Sequence, residues 1–527
     1  MFSFTLRQKL WRLTPSIPSC LTFVLSVSLY NHCISHSQLH GTHLVSLPVS
    51  IRFGRLTNVD VTKPEGLGEL RNMAEDMLET AAIARVAAST FPINRLPREI
   101  IVEIFWNCLV HGRQETVWMS SRNAPILLCR VCSSWRTLAL AIPQLWASVG
   151  ILIRHPDGVD PSICTHITNA WLERSGTLPL TVAIDTEGYC ASEPTIILDA
   201  VLSSVCSHSS RWQNVTITSS VPVSFPRLEN LPLLRVFQIQ VFMQQNAISL
   251  PFSGSPRLTR LTWQYPLDAP IDPRIPWSQM SHLLLTSQMS FFAVLETIRS
   301  CPQLENFTAN LNAETIGDHH PTTATNCRLR TLTLGITGDA DYSPFFNSLI
   351  LPKLREFTLA SSRSNTTSGG GAFFDFLTRS NCKLYKLELR HCAFEPFIEC
   401  LEQESFKSIQ ELWIKFRPAF TDDELIRLTD FPSPPAPPVL LPKLTHLRLR
   451  WCLHASRGML AKMVVSRRQR DGREAEPLQY LGVASKELYK EDVVSIKDEV
   501  KDGFEADIHP HYILNENGQR EEEGSDG

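Results

Sequence analysis

The stretch "PKLREFTLA", Pro352 to Ala360, decides how the chain folds. Its apolar residues Leu354, Phe357 and Leu359 follow an L-x-x-L-x-L pattern, and the alternation at its end is that of a β-strand. Phe357 and Leu359 point to one side of that strand, Glu356, Thr358 and Ala360 to the other. One such strand buries nothing alone. It needs neighbours of the same kind, and the chain supplies them: "LLRVFQI", "PRLTRLTW", "SQMSHLLL", "PQLENFTA", "CRLRTLTL", "CKLYKLEL", "KSIQELWI", "PKLTHLRL" and "PLQYLGV" repeat the pattern. The first apolar positions are Leu234, Leu258, Met280, Leu304, Leu329, Leu354, Leu384, Ile409, Leu444 and Leu478. Their spacings are 24, 22, 24, 25, 25, 30, 25, 35 and 34 residues.

Six of these nine spacings fall within the roughly 20–29-residue period of leucine-rich repeats. Asn312, Cys392 and Cys452 stand eight residues after Leu304, Leu384 and Leu444, where such repeats carry Asn or Cys. Each unit is expected to be a short strand whose leucines enter a shared core, closed on the outside by a helix or turn. A single repeat cannot cover its own apolar face, so the units must stack into a solenoid. At about 1.5–3 kcal/mol per buried leucine, three per unit over ten units is ample for a core. The polar stretches 361–371 and 431–438 lengthen two repeats as loops.

In a curved solenoid the side chains opposite the leucines form the concave face. Units four to six offer Asn306, Thr308, Asn310, Thr331, Thr333, Gly335, Glu356, Thr358 and Ala360, a small and mostly neutral surface. Units seven to nine offer Lys386, Glu388, Arg390, Glu411, Trp413, Lys415, His446, Arg448 and Arg450. A Trp among Arg and Lys has the composition of an interface hot spot, so these nine are the target-binding candidates. The competing reading is a charged ladder whose neighbours pair across strands.

Ahead of the repeats lies "INRLPREIIVEIFWNCL", Ile93 to Leu109. Ile100, Ile101, Ile104, Phe105, Cys108 and Leu109 share one side of a helix that opens at Pro97. After the loop 110–123, "APILLCRVCSSWRTLALAIPQLW" (Ala124 to Trp146) reads as a second and third helical face. It carries Leu127, Leu128, Val131, Cys132, Trp135, Leu138, Ala139 and Ile142. The Leu-Pro-x-Glu-Ile start, the Val-Cys-x-x-Trp-Arg core and the Pro-x-Leu-Trp end together resemble an F-box, in the form found in mushroom-forming fungi. "WLERSGTLPLTVAI" (Trp171 to Ile184) and "HSSRWQNVTI" (His208 to Ile217) resemble segments that follow the F-box in those families.

The resemblance implies an α/β chain with an N-terminal three-helix F-box followed by a leucine-rich-repeat solenoid of parallel inner strands and outer helices. It implies a cytoplasmic or nuclear substrate receptor of a Skp–cullin–F-box ubiquitin ligase, not an enzyme and without cofactor or metal. The F-box would dock a Skp-type adaptor, and through it a cullin scaffold, while the solenoid would hold a target protein. In F-boxes the adaptor meets the Leu-Pro start and helical apolar residues. Here these are Leu96, Pro97, Ile100, Ile104 and Phe105, with Val131, Cys132 and Trp135 nearby. Other readings are a repeat protein whose helices merely cap the array, or a secreted repeat protein.

Boundaries follow from these patterns: a poorly patterned extension 1–65, a helix 66–90, the F-box 91–150, the solenoid 151–484 and an acidic tail 485–527. That tail holds 13 Asp and Glu against 5 Lys and Arg and is expected to be solvated. The run Cys20 to Tyr30 resembles a signal-peptide core but is too short to span a bilayer. The sequons Asn214 and Asn306 fall in expected strands, and Asn365 in a loop. A net charge of −3 gives no case for nucleic acid. Cys129 and Cys132 have no second pair for zinc, His32 to His43 reads as surface histidines, and the basic run 466–473 as the end of an outer helix. No phosphate loop, nucleophile elbow or metalloprotease motif occurs.

Overall fold

The computed structural model describes residues 96–109, 117–154, 161–187, 193–226, 228, 230–242, 252–264, 273–312, 323–337, 341–361, 370–392, 397, 401–430, 439–468, 475–501, 503–515 and 518–520. The extension 1–65, the helix 66–90, the histidine cluster, Asn365 and the interiors of both long loops lie outside these residues. The chain divides into two units. One is helical (96–109 and 120–145); the other holds the sheet (117–119 and 146 onward).

In the sheet unit the strands are β1 Ser148–Arg154, β2 Leu180–Glu187, β3 Trp212–Ser219, β4 Val236–Val241, β5 Arg260–Trp263, β6 His282–Met289, β7 Asn306–Asn312 and β8 Ala324–Thr325. They continue as β9 Thr331–Thr337, β10 Leu349–Ile350, β11 Glu356–Ser361, β12 Lys386–Arg390, β13 Glu411–Lys415, β14 His446–Arg450, β15 Tyr480–Tyr489 and β16 Glu505–Leu514. Fourteen of them form one sheet in chain order, and β8 and β10 pair separately. Every pairing in the large sheet is parallel, as it must be when each strand returns through a crossover.

All ten repeat units give a strand that starts two residues after the first apolar position. Those ten residues are at most 1% exposed. The register stacks leucine on leucine, Leu334 beside Leu359, Leu359 beside Leu389 and Leu389 beside Ile414. Helices cover this side. The helix Gly370–Ser380 packs Phe373 against Phe357 of β11 with centroids 5.1 Å apart, and against Phe346 at 5.3 Å. Ser290 caps Phe291–Ser300, its Oγ accepting from the Ala293 N–H at 3.2 Å, and Thr421 with Glu424 forms a capping box on Asp422–Leu428.

Buried polar groups tie successive repeats. The Cys392 thiol donates to the Arg390 and Leu359 carbonyls, and the Cys452 thiol to the Ile414 carbonyl at 3.7 Å. Burial pushes both thiols up to about 12, so they stay protonated. The ten described cysteines are all free. Asn326, absent from the sequence pattern, does more: its amide donates to the Ile298 and Cys301 carbonyls, and its oxygen accepts from the Arg328 and Leu329 N–H groups. Arg467, at the end of the helix Met459–Arg468, is 2% exposed and donates to the Leu428, Leu440 and Leu441 carbonyls. Burial lowers its pKa to about 10, which still leaves it charged at neutral pH. This much of the basic run 466–473 is therefore a structural pin.

Three boundaries differ from the sequence reading. First, the sheet begins at Ser148, inside the segment 91–150, and the repeats are preceded by β3 and, ahead of it, by β1 and β2. β1 and β2 are built from Val, Ile and Ala ("SVGILIR", "LTVAIDTE"), so no leucine pattern marks them. Second, the sheet does not stop at 484. A helix Lys490–Lys501 and strand β16 lie beyond, and β16 pairs with β15 from Tyr480↔Glu505 to Tyr489↔Leu514. Leu488, Val493, Ile496, Phe504 and Leu514 are buried there, and the many acids obscure that sparse apolar stripe. Third, the helical unit has two described α-helices, Arg98–Asn107 and Ser133–Leu140, joined by a 3-10 turn Leu128–Arg130. Cys132 separates the turn from the second α-helix. Its backbone is extended (φ −159°, ψ 172°) and its Sγ accepts from the Trp135 N–H at 3.5 Å, as a helix cap.

Candidate functional site

In the helical unit the side chains proposed to meet an adaptor separate into two groups. Phe105 is fully buried and Trp135 is 7% exposed; their rings lie 5.0 Å apart, tilted by 55°. With Ile101 and Leu109 they form the small core, at i, i+4 and i+8 along the first helix. They hold the unit together and offer no outward surface. The others face out. Pro97 is exposed, its carbonyl accepting from the Ile100 and Ile101 N–H groups to start the helix. Ile100 is 43% and Val131 56% exposed, while Leu96, Ile104 and Cys132 are half-buried. Two residues that the sequence reading did not single out join them as exposed apolar groups, Trp106 and Leu140. Trp106 succeeds a buried Phe and reads as core by composition, but lies one step around the helix from it.

On the sheet, strand alternation places the expected residues on the face opposite the leucines: β7 and β9 alternate half-buried and buried side chains without exception. Asn214 and Asn306 lie on that half-buried side of their strands. The register sets Glu388 beside Trp413 and Trp413 beside Arg448. Trp413 is enclosed by cations from both neighbouring strands, with Lys386 Nζ 3.4 Å and Arg448 Cζ 4.3 Å from its ring centre. Arg448 also donates to the Tyr480 hydroxyl at 2.9 Å, and Tyr480 lies over His446 with centroids 5.9 Å apart. Gly482 makes this possible: a Cβ there would come within 2.8 Å of the Tyr480 hydroxyl and 3.2 Å of the Arg448 side chain.

The charges pair as well. Lys386 meets Glu411 at 3.4 Å, Tyr385 donates to Glu411 at 3.0 Å, and Arg390 Nε donates to Glu388 at 2.7 Å. That last pair explains why Glu388 is only 9% exposed. The ladder is thus a pre-ordered surface whose members hold one another, with Trp413 as its hub. Its indole N–H is buried without a hydrogen-bond partner among the described residues.

At the ends of β12, β13 and β14 the backbone does something that no residue type there announces. His391, Phe416 and Trp451 each take left-handed angles, φ 58°, 68° and 59°. Such angles are strained for bulky side chains and cluster at functional positions. Each N–H donates to the next strand, to Lys415, Arg450 and Ala484. The result is a row of rings along the strand ends: His391 stacks on Phe416 at 4.0 Å, and Phe416 and Trp451 are 37% and 44% exposed. Lys415 lies 5.1 Å from the Phe416 ring centre.

Among the described residues no cluster of His, Cys, Asp and Glu could hold a metal ion, and no helix is long and apolar enough to cross a membrane. Comparison with known protein families and with curated proteins found no match.

Proposed function

We propose that this chain is the substrate receptor of a Skp–cullin–F-box ubiquitin ligase, with residues 96–145 as the F-box and the repeat sheet as the target holder. The observation that carries the proposal is the group Pro97, Ile100 and Val131, apolar and exposed at the Leu-Pro and Val-Cys-x-x-Trp motifs. A side of that kind on so small a unit favours a partner that covers it. Function would then be proximity: the receptor raises the effective concentration of target lysines near a ubiquitin-charged enzyme carried by another subunit.

For the target we propose the open face of β12 to β14 and the aromatic row at its end. Trp413, Arg448, Phe416 and Trp451 supply the Trp and Arg content of hot spots, held in place before binding. The test is co-purification of the full chain with a Skp-type adaptor. Leu96→Ala with Pro97→Ala is expected to abolish adaptor capture and spare target capture. Trp413→Ala with Arg448→Glu is expected to do the reverse after the proteasome is blocked. Adaptor capture that persists in the first variant overturns the assignment; an unchanged set of captured proteins in the second moves the target site elsewhere.

A further inference from the structure

On the open face Lys386, Arg390 and Arg448 are paired, but the cations on the opposite rim, where the chain enters its strands, have no partner among the described residues. Arg328, Arg330, Lys353, Arg355 and Lys383 come from the entries of three consecutive strands of the sheet, β9, β11 and β12, and all five are exposed. Backbone hydrogen bonds make them close neighbours. The Arg355 N–H donates to the Arg330 carbonyl at 2.8 Å, and the Tyr385 N–H to the Arg355 carbonyl at 2.7 Å. Neighbouring strands are about 4.8 Å apart, so Arg330 sits directly beside Arg355, and Arg328, Lys353 and Lys383 form a second row just before them.

None of these five side chains forms an ion pair or hydrogen bond with the described residues, whereas Arg390, Arg448, Arg457 and Arg520 elsewhere on the sheet unit all do. Like charges set side by side destabilise a sheet, and no described carboxylate pairs with them. Glu305, Arg328, Arg330 and Lys353 instead line a common recess.

We infer that this rim is a docking surface for a short acidic polypeptide segment. Charge complementarity selects the partner: five cations face two carboxylates, Glu305 and Glu356. Extent selects its length. The rows end at Gln303 and Glu305 on one side and at Ser408 and Gln410 on the other, so the positive patch spans only three strands. That is about 10–15 Å, or three to five residues of extended chain at about 3.3 Å each. A nucleic acid would need the charge to continue along its backbone, and here the surrounding molecule carries a net charge of −3. The rim belongs to neither the helical unit nor the open face, so its role is independent of the ubiquitin-ligase reading.

The test is fluorescence anisotropy on the full chain with a labelled decapeptide of alternating Glu and Gly. A Lys–Gly decapeptide and a single-stranded ten-nucleotide DNA serve as competing probes. The Glu peptide is expected to bind, and to weaken as ionic strength rises from about 0.02 M to about 0.2 M. Arg328→Gln with Arg330→Gln and Lys353→Gln is expected to weaken it at least about tenfold, since three exposed charges are lost. The Arg328→Lys, Arg330→Lys pair should keep most of the binding, and Lys497→Gln, on the helix Lys490–Lys501, should leave it unchanged. Unaltered circular dichroism in the triple variant separates lost contacts from lost folding. No binding of the Glu peptide, equal binding by the triple variant, or tighter binding of the DNA overturns the inference.

Discussion

In the sheet the first apolar residue of every repeat is at most 1% exposed, while in the helical unit Ile100 and Val131 are 43% and 56% exposed. The two regions draw on the same side chains and differ in what covers them. Each repeat closes over its neighbour, so an apolar residue at the right register finds a partner in the next strand. The helical unit has two short helices and a turn, enough to enclose a small core of Ile101, Phe105, Leu109, Leu128, Trp135, Ala139, Ile142 and Leu145. What remains outside, Ile100 and Val131 among it, is the surface proposed to meet the adaptor. Exposure, not apolar character, separates the residues that hold this chain together from those proposed to meet a partner.

The contrast meets its severest test in the sheet, where the largest effect is expected. Phe357 is fully buried against Phe373, and Phe357→Ala should cost about 3–5 kcal/mol, read as a lowered urea midpoint. Trp135→Ala should cost about 3 kcal/mol, the lower end of that range, because its cluster is small. The loss should appear in the helical unit, tracked by protease sensitivity between 96 and 145. A variant that stays resistant would show that Trp135 is a contact residue and not core.

A smaller effect is expected at Asp492, 2% exposed, whose carboxylate accepts from the Gly458 and Ala461 N–H groups at 3.0 and 2.7 Å and caps the helix Met459–Arg468 from the following repeat. Asp492→Ala should cost about 1 kcal/mol in thermal unfolding. Burial raises this group's pKa above the usual carboxylate value, against the pull of the two N–H groups. A raised carboxyl pKa favours the folded state at low pH. The stability it adds is present below pH about 4 and is lost as pH climbs through the raised value. Against Asp492→Asn, which has no such titration, wild-type stability should therefore fall with rising pH over that window. A rise instead would mean that the N–H groups dominate. The smallest change is expected for Ile100→Ala with Val131→Ala, under about 0.5 kcal/mol in the urea midpoint, since both side chains are already largely in water.

The repeat sheet was legible because its signal is local and periodic: ten apolar positions two residues ahead of ten strands. β1 and β2 were not, since Val and Ile strands lacking the leucine spacing look like any buried strand. Nor was β16, whose apolar residues are diluted by Glu and Asp. On the open face, the pattern supplied the nine target candidates and their side of the sheet. It could not supply the pairing of Lys386 with both Glu411 and Trp413, which depends on which strands are neighbours. The row His391, Phe416, Trp451 was invisible for another reason. Left-handed backbone is usually announced by Gly or Asn, and here bulky residues occupy it. In the helical unit the spacing named six apolar residues on one side of the first helix. Only packing divides them into Ile101, Phe105 and Leu109, which close the core, and Ile100, which does not.

The most direct measurement is the affinity of the purified full chain for a purified Skp-type adaptor, by calorimetry, with Ile100→Glu and Val131→Glu introduced together. Both side chains are exposed, so the charged variant should keep the wild-type circular dichroism spectrum and melting temperature. The wild type is expected to form a saturable one-to-one complex and the variant to bind at least about a hundredfold more weakly, as two apolar contacts at a desolvated centre are replaced by charge. A wild-type chain that does not bind the adaptor, or a folded variant that binds it equally well, would contradict the F-box assignment.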